Sequence, residues 1–538
     1  MLCFRYLIDG SLNLMLAGEV ENFEQLSAAT RVALLIGSAL LIGLALNRYR
    51  PGARRVGVVH VMERLTLHQG KLPLKNAVIQ FFGGALALIA GQSGGREGPA
   101  IHLGATAASL LGQASKLPNN SLRTMVACGT AAAIASSFNT PIAGVIFALE
   151  VVMMEYAIAS FIPIIVAAVT STLITRFFFG ADPAFIIDPF HLYTSFEIFY
   201  LVLGGILIGC ISAAYVQLIQ LFARLSLQPL WLRIALAGAI TATVAIFIPE
   251  VMGVGYDTVD RIMITDLGVL FLVALLIGKT ITSAAAVGLG MPVGLIGPTL
   301  FMGATVGGML GSILINWHGI DTSIGFFVIL GMCAMMGAVL QAPLAALMAV
   351  MEMTANTDFI LPAMVIIVIA TLVSSQVFGQ RSVFITTLNT LGLQYPPSPV
   401  TLHLQRVGVT ALMDTSFLPL SSTISATDVP AILNKNPNWL VIEDEDSILN
   451  AVLNPSDLDA FFKGHELAEN ETIRLMQIPG QRMDAVAIGS EATVMQLHDV
   501  FEKTQAEACC VTQTTNNIAI VVGVITKNHI ENYRNTTS

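Results

Sequence analysis

The residues best equipped for chemistry lie in GGREGPAIHLGA, Gly94 to Ala105, where Arg96 and Glu97 stand between glycines and ahead of Pro99 in a long apolar region. Glycines beside a charge let the backbone leave helical geometry and approach a ligand closely. Proline in the first turn of a helix sacrifices no useful N–H. The stretch therefore predicts a helix N-terminus aimed into the protein, with about +0.5 charge and several unpaired N–H groups, which is an anion site. GLIGP, Gly294 to Pro298, repeats the design without the charges. Two such termini facing one point would hold either the Glu97 carboxylate or a small anion. An ionised side chain at mid-bilayer costs about 2.5–3.5 kcal/mol, and one buried helix terminus offsets at most about 2 kcal/mol. With two termini the balance is close, so protonating or displacing Glu97 would open the site. The plainer reading is a helix cap or a surface salt bridge, because adjacent residues do not face each other along a helix. Arg96 reads first as a residue that pins the loop.

The elements around this site must lie in a membrane. The 538 residues are 55% hydrophobic and 11% charged, with mean hydropathy +0.75, against about 25% charged in soluble chains. Residues 401–538 carry 17 acidic and 8 basic side chains, so the net charge of −9 belongs to the tail. An acidic tail argues against nucleic-acid binding, which needs a basic face. The six cysteines show no metal-ligand spacing and read as small hydrophobes. Apolar stretches recur from about residue 30 to residue 378, many shorter than the ~20 residues that span a bilayer. Short, glycine-broken segments point to discontinuous helices lining a midplane site. The basic loop 47–75 is expected on the cytoplasmic side.

An internal repeat organises the membrane part. At an offset of 199 residues, Gly95, Gly98, Pro99, Gly104, Ala105, Thr106, Leu111 and Gly112 all meet identical residues in the second copy. At an offset of 202, GTAAAIASSFNTPIAGVIFALE (Gly129 to Glu150) matches GMCAMMGAVLQAPLAALMAVME (Gly331 to Glu352). The spacing does not say whether the halves are inverted. Past about residue 395 the pattern becomes helix, strand, strand, helix, twice over, which predicts a soluble α/β pair of repeats.

GREGP, its GLIGP counterpart and FNTPIAGVIFALE together resemble the CLC family of chloride channels and proton-coupled chloride antiporters, over about residues 2–390. The resemblance implies an all-α polytopic membrane domain of two inverted-topology repeats, about 30–180 and 196–385, and a homodimer with one pore per subunit. It implies Glu97 as the gating residue. It also implies an anion-binding set of Gly95, Arg96, Gly98, Gly294, Leu295, Ile296 and Gly297, with backbone N–H groups of Leu295 and Ile296 on the ion. The chain starts at the family's second helix, FRYLID. The tail, 411–538 after a linker at 391–410, resembles a pair of cystathionine-β-synthase-type (CBS) modules, an α/β domain expected in the cytoplasm. The expected setting is a bacterial inner membrane.

Several positions depart from the family pattern. Val56 stands where an anion-contacting serine belongs, and Phe384 where a pore tyrosine belongs. Val151 follows Glu150 at the place of an antiporter's inner glutamate, so proton coupling by that route is lost. The main expectation is thus a passive chloride channel gated by Glu97, with a chloride/proton antiporter as its alternative. A membrane enzyme using Glu97 and His102 is remote, since five residues is neither i+3 nor i+4 and no hydrolase or metal motif is present. A cation transporter lacks enough acidic residues in the repeat cores. Glu150 and Glu352 read as helix-end anchors, His102 as a packed histidine, and Lys279 as paired with a neighbour or carbonyls. In the tail, Asp457 and Thr526 each keep part of a nucleotide-binding turn; an adenine nucleotide there would be the one cofactor.

Overall fold

The computed structural model describes residues 1–16, 22–156, 158–180, 195–225, 229–318, 323–354, 356–393, 404, 407–443, 449–465, 471–480, 482–515 and 518–531. Most of the expected linker, 394–403 and 405–406, lies outside these residues. Two compact units emerge, residues 1–115 with 122–396, and residues 116–121 with 397–538.

The first unit is helical throughout. In chain order it contains α1 (Leu2–Met15), α2 (Ala28–Asn47), α3 (Gly57–Leu67), α4 (Leu74–Ile89), α5 (Glu97–Ala114), α6 (Asn119–Phe138, in this unit from Leu122), α7 (Pro141–Phe147), α8 (Ile158–Phe179) and α9 (Ser195–Arg224). It continues with α10 (Leu230–Phe247), α11 (Tyr256–Ile264), α12 (Val269–Leu289), α13 (Ile296–His318), α14 (Ile324–Leu340), α15 (Pro343–Thr354), α16 (Ile360–Leu372) and α17 (Val383–Thr390). Seven helices among the described residues are long and apolar enough to cross a membrane. At 1.5 Å per residue, the 20 residues of α2 match the ~30 Å hydrocarbon core. Others, such as α3, α7, α11 and α17, are far too short to cross.

The repeat is visible in the packing. α5 meets α6 where Gly104 lies on Gly129, and α13 meets α14 where Gly303 lies on Gly331; a Cβ at any of the four would overlap the facing backbone. These are matched positions of the two copies. Glu150 accepts from the N–H groups of Leu344 (3.3 Å) and Ala345 (2.7 Å) at the start of α15. Its repeat mate Glu352 accepts from Ile142 (2.9 Å) and Ala143 (2.8 Å) at the start of α7. Each half thus caps a helix of the other, as two copies related by a two-fold axis would. The anchor reading of both glutamates holds.

The second unit is α/β. Its strands are β1 (Phe417–Ser421), β2 (Thr423–Ser425), β3 (Trp439–Glu443), β4 (Leu449–Leu453), β5 (Thr472–Arg474), β6 (Arg482–Gly489), β7 (Ala508–Thr515) and β8 (Ile518–Thr526). A six-stranded sheet runs β1-β3-β4-β6-β7-β8, and β2 pairs with β5. β1 and β3 are parallel and β4 antiparallel to β3; β6, β7 and β8 repeat that pattern. The helices α18 (Val429–Asn434), α19 (Pro455–Gly464) and α20 (Val494–Thr504) fall where the sequence pattern placed them. Asp457 sits in the first turn of α19, and Thr526 ends β8.

Candidate functional site

The site forms where two matched helix starts meet. α5 begins at Glu97 and α13 at Ile296, the same position in the two copies. Ahead of them, Gly95 and Gly294 pair as an isolated antiparallel bridge, each N–H donating to the other's carbonyl at 2.7 Å. Only glycine permits this approach: a Cβ on Gly98 would stand 2.7 Å from the Gly294 Cα. The frame is braced from both sides. The Gln80 side chain on α4 donates to the Pro292 carbonyl at 3.0 Å, and the Thr282 hydroxyl on α12 donates to Ser93 at 2.9 Å.

Glu97 is fully buried in this frame. Its Oε2 accepts from the Gly297 N–H at 3.2 Å, across the repeat boundary. It lies so close over Gly95 that a side chain there would collide with it. Its Oε1 accepts from the Tyr256 hydroxyl at 2.9 Å. One carboxylate therefore bridges the first helix start, the second helix start and α11. The engaged amide is that of Gly297, one residue past the Leu295–Ile296 pair that the sequence resemblance pointed to; both of those residues are buried at the same turn.

The neighbouring charges have other duties. The Arg96 guanidinium lies 3.9 Å from Asp9 of α1 and 5.6 Å from the centre of the Tyr256 ring. Lys279 is fully buried and donates to the carbonyls of Val251 (3.1 Å) and Gly253 (2.8 Å), with the Phe301 ring 4.7 Å away. Gly253 N–H in turn donates to Gly91 O at 3.0 Å. Lys279 therefore holds the turn that delivers Tyr256, as the carbonyl-paired reading expected. His102 is packed away from Glu97 against His60, with 2.8 Å between ring nitrogens.

Other expected positions lie elsewhere. Val56 precedes α3 and packs on the apolar cluster shared by α2, α4, α10 and α12. Phe384 is buried near the start of α17, within the main core. Neither side chain has a hydrogen bond to offer an ion. Val151 is buried in a π-helical stretch, Ala148–Met153, and lines a cavity of about 370 Å³ with Glu150, Gln341, Gln380, Arg381 and Ser382. A separate cavity of about 240 Å³ is lined by Arg5, Arg96, Asn139, Tyr256 and Asp260. Tyr256 was missed from the sequence because it lies 159 residues from Glu97 in a motif of no recognisable chemistry. The one available signal was the glycine-rich MGVGY turn before it, a close-approach segment like those at Gly95 and Gly294.

A family model described as voltage gated chloride channel matches residues 38–375. The chain belongs to the CLC family. Its CLC relatives include a putative chloride channel protein ClcB-like of Ralstonia nicotianae, 31% identical over 69% of this chain and 88% of that protein. An H(+)/Cl(−) exchange transporter ClcA of Vibrio cholerae is 27% identical over 69% of this chain and 81% of that protein. Among solved structures, a slow cyanobacterial Cl−/H+ antiporter superposes with TM-score 0.64 at 22% identity, covering 73% of this chain and 95% of that one. At that identity the likeness speaks for the fold. The chain is a multi-pass CLC-type anion-transport protein, and CLC members are transporters or channels, so the membrane-enzyme reading falls.

Proposed function

We propose that this CLC protein exchanges chloride for protons, with Glu97 as the group that links them. The observation that carries the reading is the double engagement of Glu97 by the Gly297 amide and the Tyr256 hydroxyl in a fully buried frame. Donors that hold a carboxylate will hold a halide, but not both at once. When chloride takes those donors, the carboxylate is released from them and can take up a proton. Ion entry and proton uptake are then one event. The names borne by the Vibrio cholerae relative and by the cyanobacterial neighbour agree with exchange.

A passive channel is the second reading, and Val151 favours it, because a valine cannot relay a proton on the inner side. Purified protein in liposomes separates the two. Under a chloride gradient, exchange drives protons uphill and shifts the reversal potential with pH; a channel does neither. Glu97→Gln, a fixed mimic of the neutral acid, should abolish both proton movement and the pH dependence of chloride flux. Retained pH dependence in that variant would remove Glu97 from the gate.

The remaining proposals rest on family likeness and the twofold strand pattern of the tail. We assign the tail as a CBS pair on the cytoplasmic side of a bacterial inner membrane, and the assembly as a homodimer. An adenine nucleotide bound near Asp457 and Thr526 is the ligand to test by calorimetry.

A further inference from the structure

We infer that Tyr256 is a positioning residue for the gate: its hydroxyl latches the Glu97 carboxylate in the occluding position and sets how readily chloride or a proton releases it. The inference rests on the gating reading of Glu97 and adds to it a second, separable group.

The geometry is specific. The Tyr256 hydroxyl donates to Oε1 at 2.9 Å, while the other oxygen is held by Gly297. Tyr256 is the first residue of α11, and the residue before it, Gly255, has φ +86, a left-handed conformation that glycine adopts freely. The preceding turn is fixed by Lys279 through the carbonyls of Val251 and Gly253. The ring therefore enters from a rigid mount. Tyr256 also lines the cavity of about 240 Å³, together with Arg96.

The direction of the effect follows from hydrogen-bond chemistry. A phenol donates strongly to a carboxylate and weakly to a neutral carboxylic acid. The latch therefore favours ionised, occluding Glu97 over both the protonated and the displaced states. The charged groups facing this pair are Arg96 beside the ring, Asp9 and Arg5 on α1, Asp260 on α11, and Lys279 behind the turn. Tyr256→Phe leaves every one of them in place and removes a single donor.

The test is chloride flux in liposomes across a pH series. Losing a charge-assisted hydrogen bond corresponds to about tenfold or more in an equilibrium. Tyr256→Phe should move the pH of half-maximal flux upward by about one unit, and lower the chloride needed for half-maximal flux at alkaline pH about tenfold. Replacing Tyr256 by 3-fluorotyrosine, a stronger donor of nearly the same size, should move the midpoint downward. In a Glu97→Gln background Tyr256→Phe should move nothing further. A Tyr256→Phe profile that superposes on wild type, while Glu97→Gln is flat, overturns the latch and leaves the gate standing. Equal shifts with and without Glu97 also overturn it, since Tyr256 would then act by another route. Wild-type pH dependence in Glu97→Gln alone overturns the gating reading itself.

Discussion

Glu352→Ala removes the carboxylate that caps α7 from the other half of the membrane unit. Two N–H donors, Ile142 at 2.9 Å and Ala143 at 2.8 Å, lose their acceptor together. Hydrogen bonds to a charged group contribute about 1.5–3 kcal/mol each, and a negative charge at a partly buried helix N-terminus adds up to about 2 kcal/mol. These terms overlap and Glu352 is only half-buried, so we expect a loss of roughly 3–5 kcal/mol. Glu352→Gln keeps one neutral acceptor and should cost about half as much. Urea or thermal denaturation in detergent, followed by tryptophan fluorescence, gives the ranking wild type, then Gln, then Ala. Glu150→Ala removes the matching cap on α15, where Ala345 donates at 2.7 Å and Leu344 at 3.3 Å. Its cost should be somewhat smaller, because one of its two bonds is long. The caps sit on different helices with no shared donor, so the double variant should lose close to the sum. If Glu352→Ala denatures with wild type, or if the Gln and Ala variants coincide, the carboxylate does not hold the repeats together and the argument fails.

Lys279→Met should destabilise the membrane unit by roughly 3 kcal/mol, because it orphans the Val251 and Gly253 carbonyls in a fully buried place. Denaturation midpoints check this, and a midpoint equal to wild type would remove Lys279 as the brace of the Tyr256 turn. In the tail, burial pushes the thiols of Cys509 and Cys510 up to about 12 from their ordinary 9.0. A raised thiol favours the folded state below the unfolded value, and that contribution is lost as pH climbs from 9.0 toward 12. Maleimide should therefore leave both thiols unmodified at neutral pH in the folded protein. Labelling should appear only on unfolding or well above pH 9.0, and prompt labelling at neutral pH would contradict their burial.

Much of this protein was legible in the chain itself. Hydrophobic length and glycine interruption are local properties, so the membrane helices and their broken character could be read directly. The offset of 199 residues placed the starts of α5 and α13 at matched positions, and they do begin at Glu97 and Ile296. The polar tail likewise announced its doubled strand pattern. What the sequence could not contain was the set of partners. Tyr256 reaches Glu97 across 159 residues, and the carboxylate selects the Gly297 amide rather than its neighbours. Glu150 and Glu352 each cap the other half's helix, and His102 turns to His60. A hydrogen bond depends on where two helix ends converge to within about 3 Å, and that convergence is set by packing summed over the whole unit. Spacing along the chain carries no record of it.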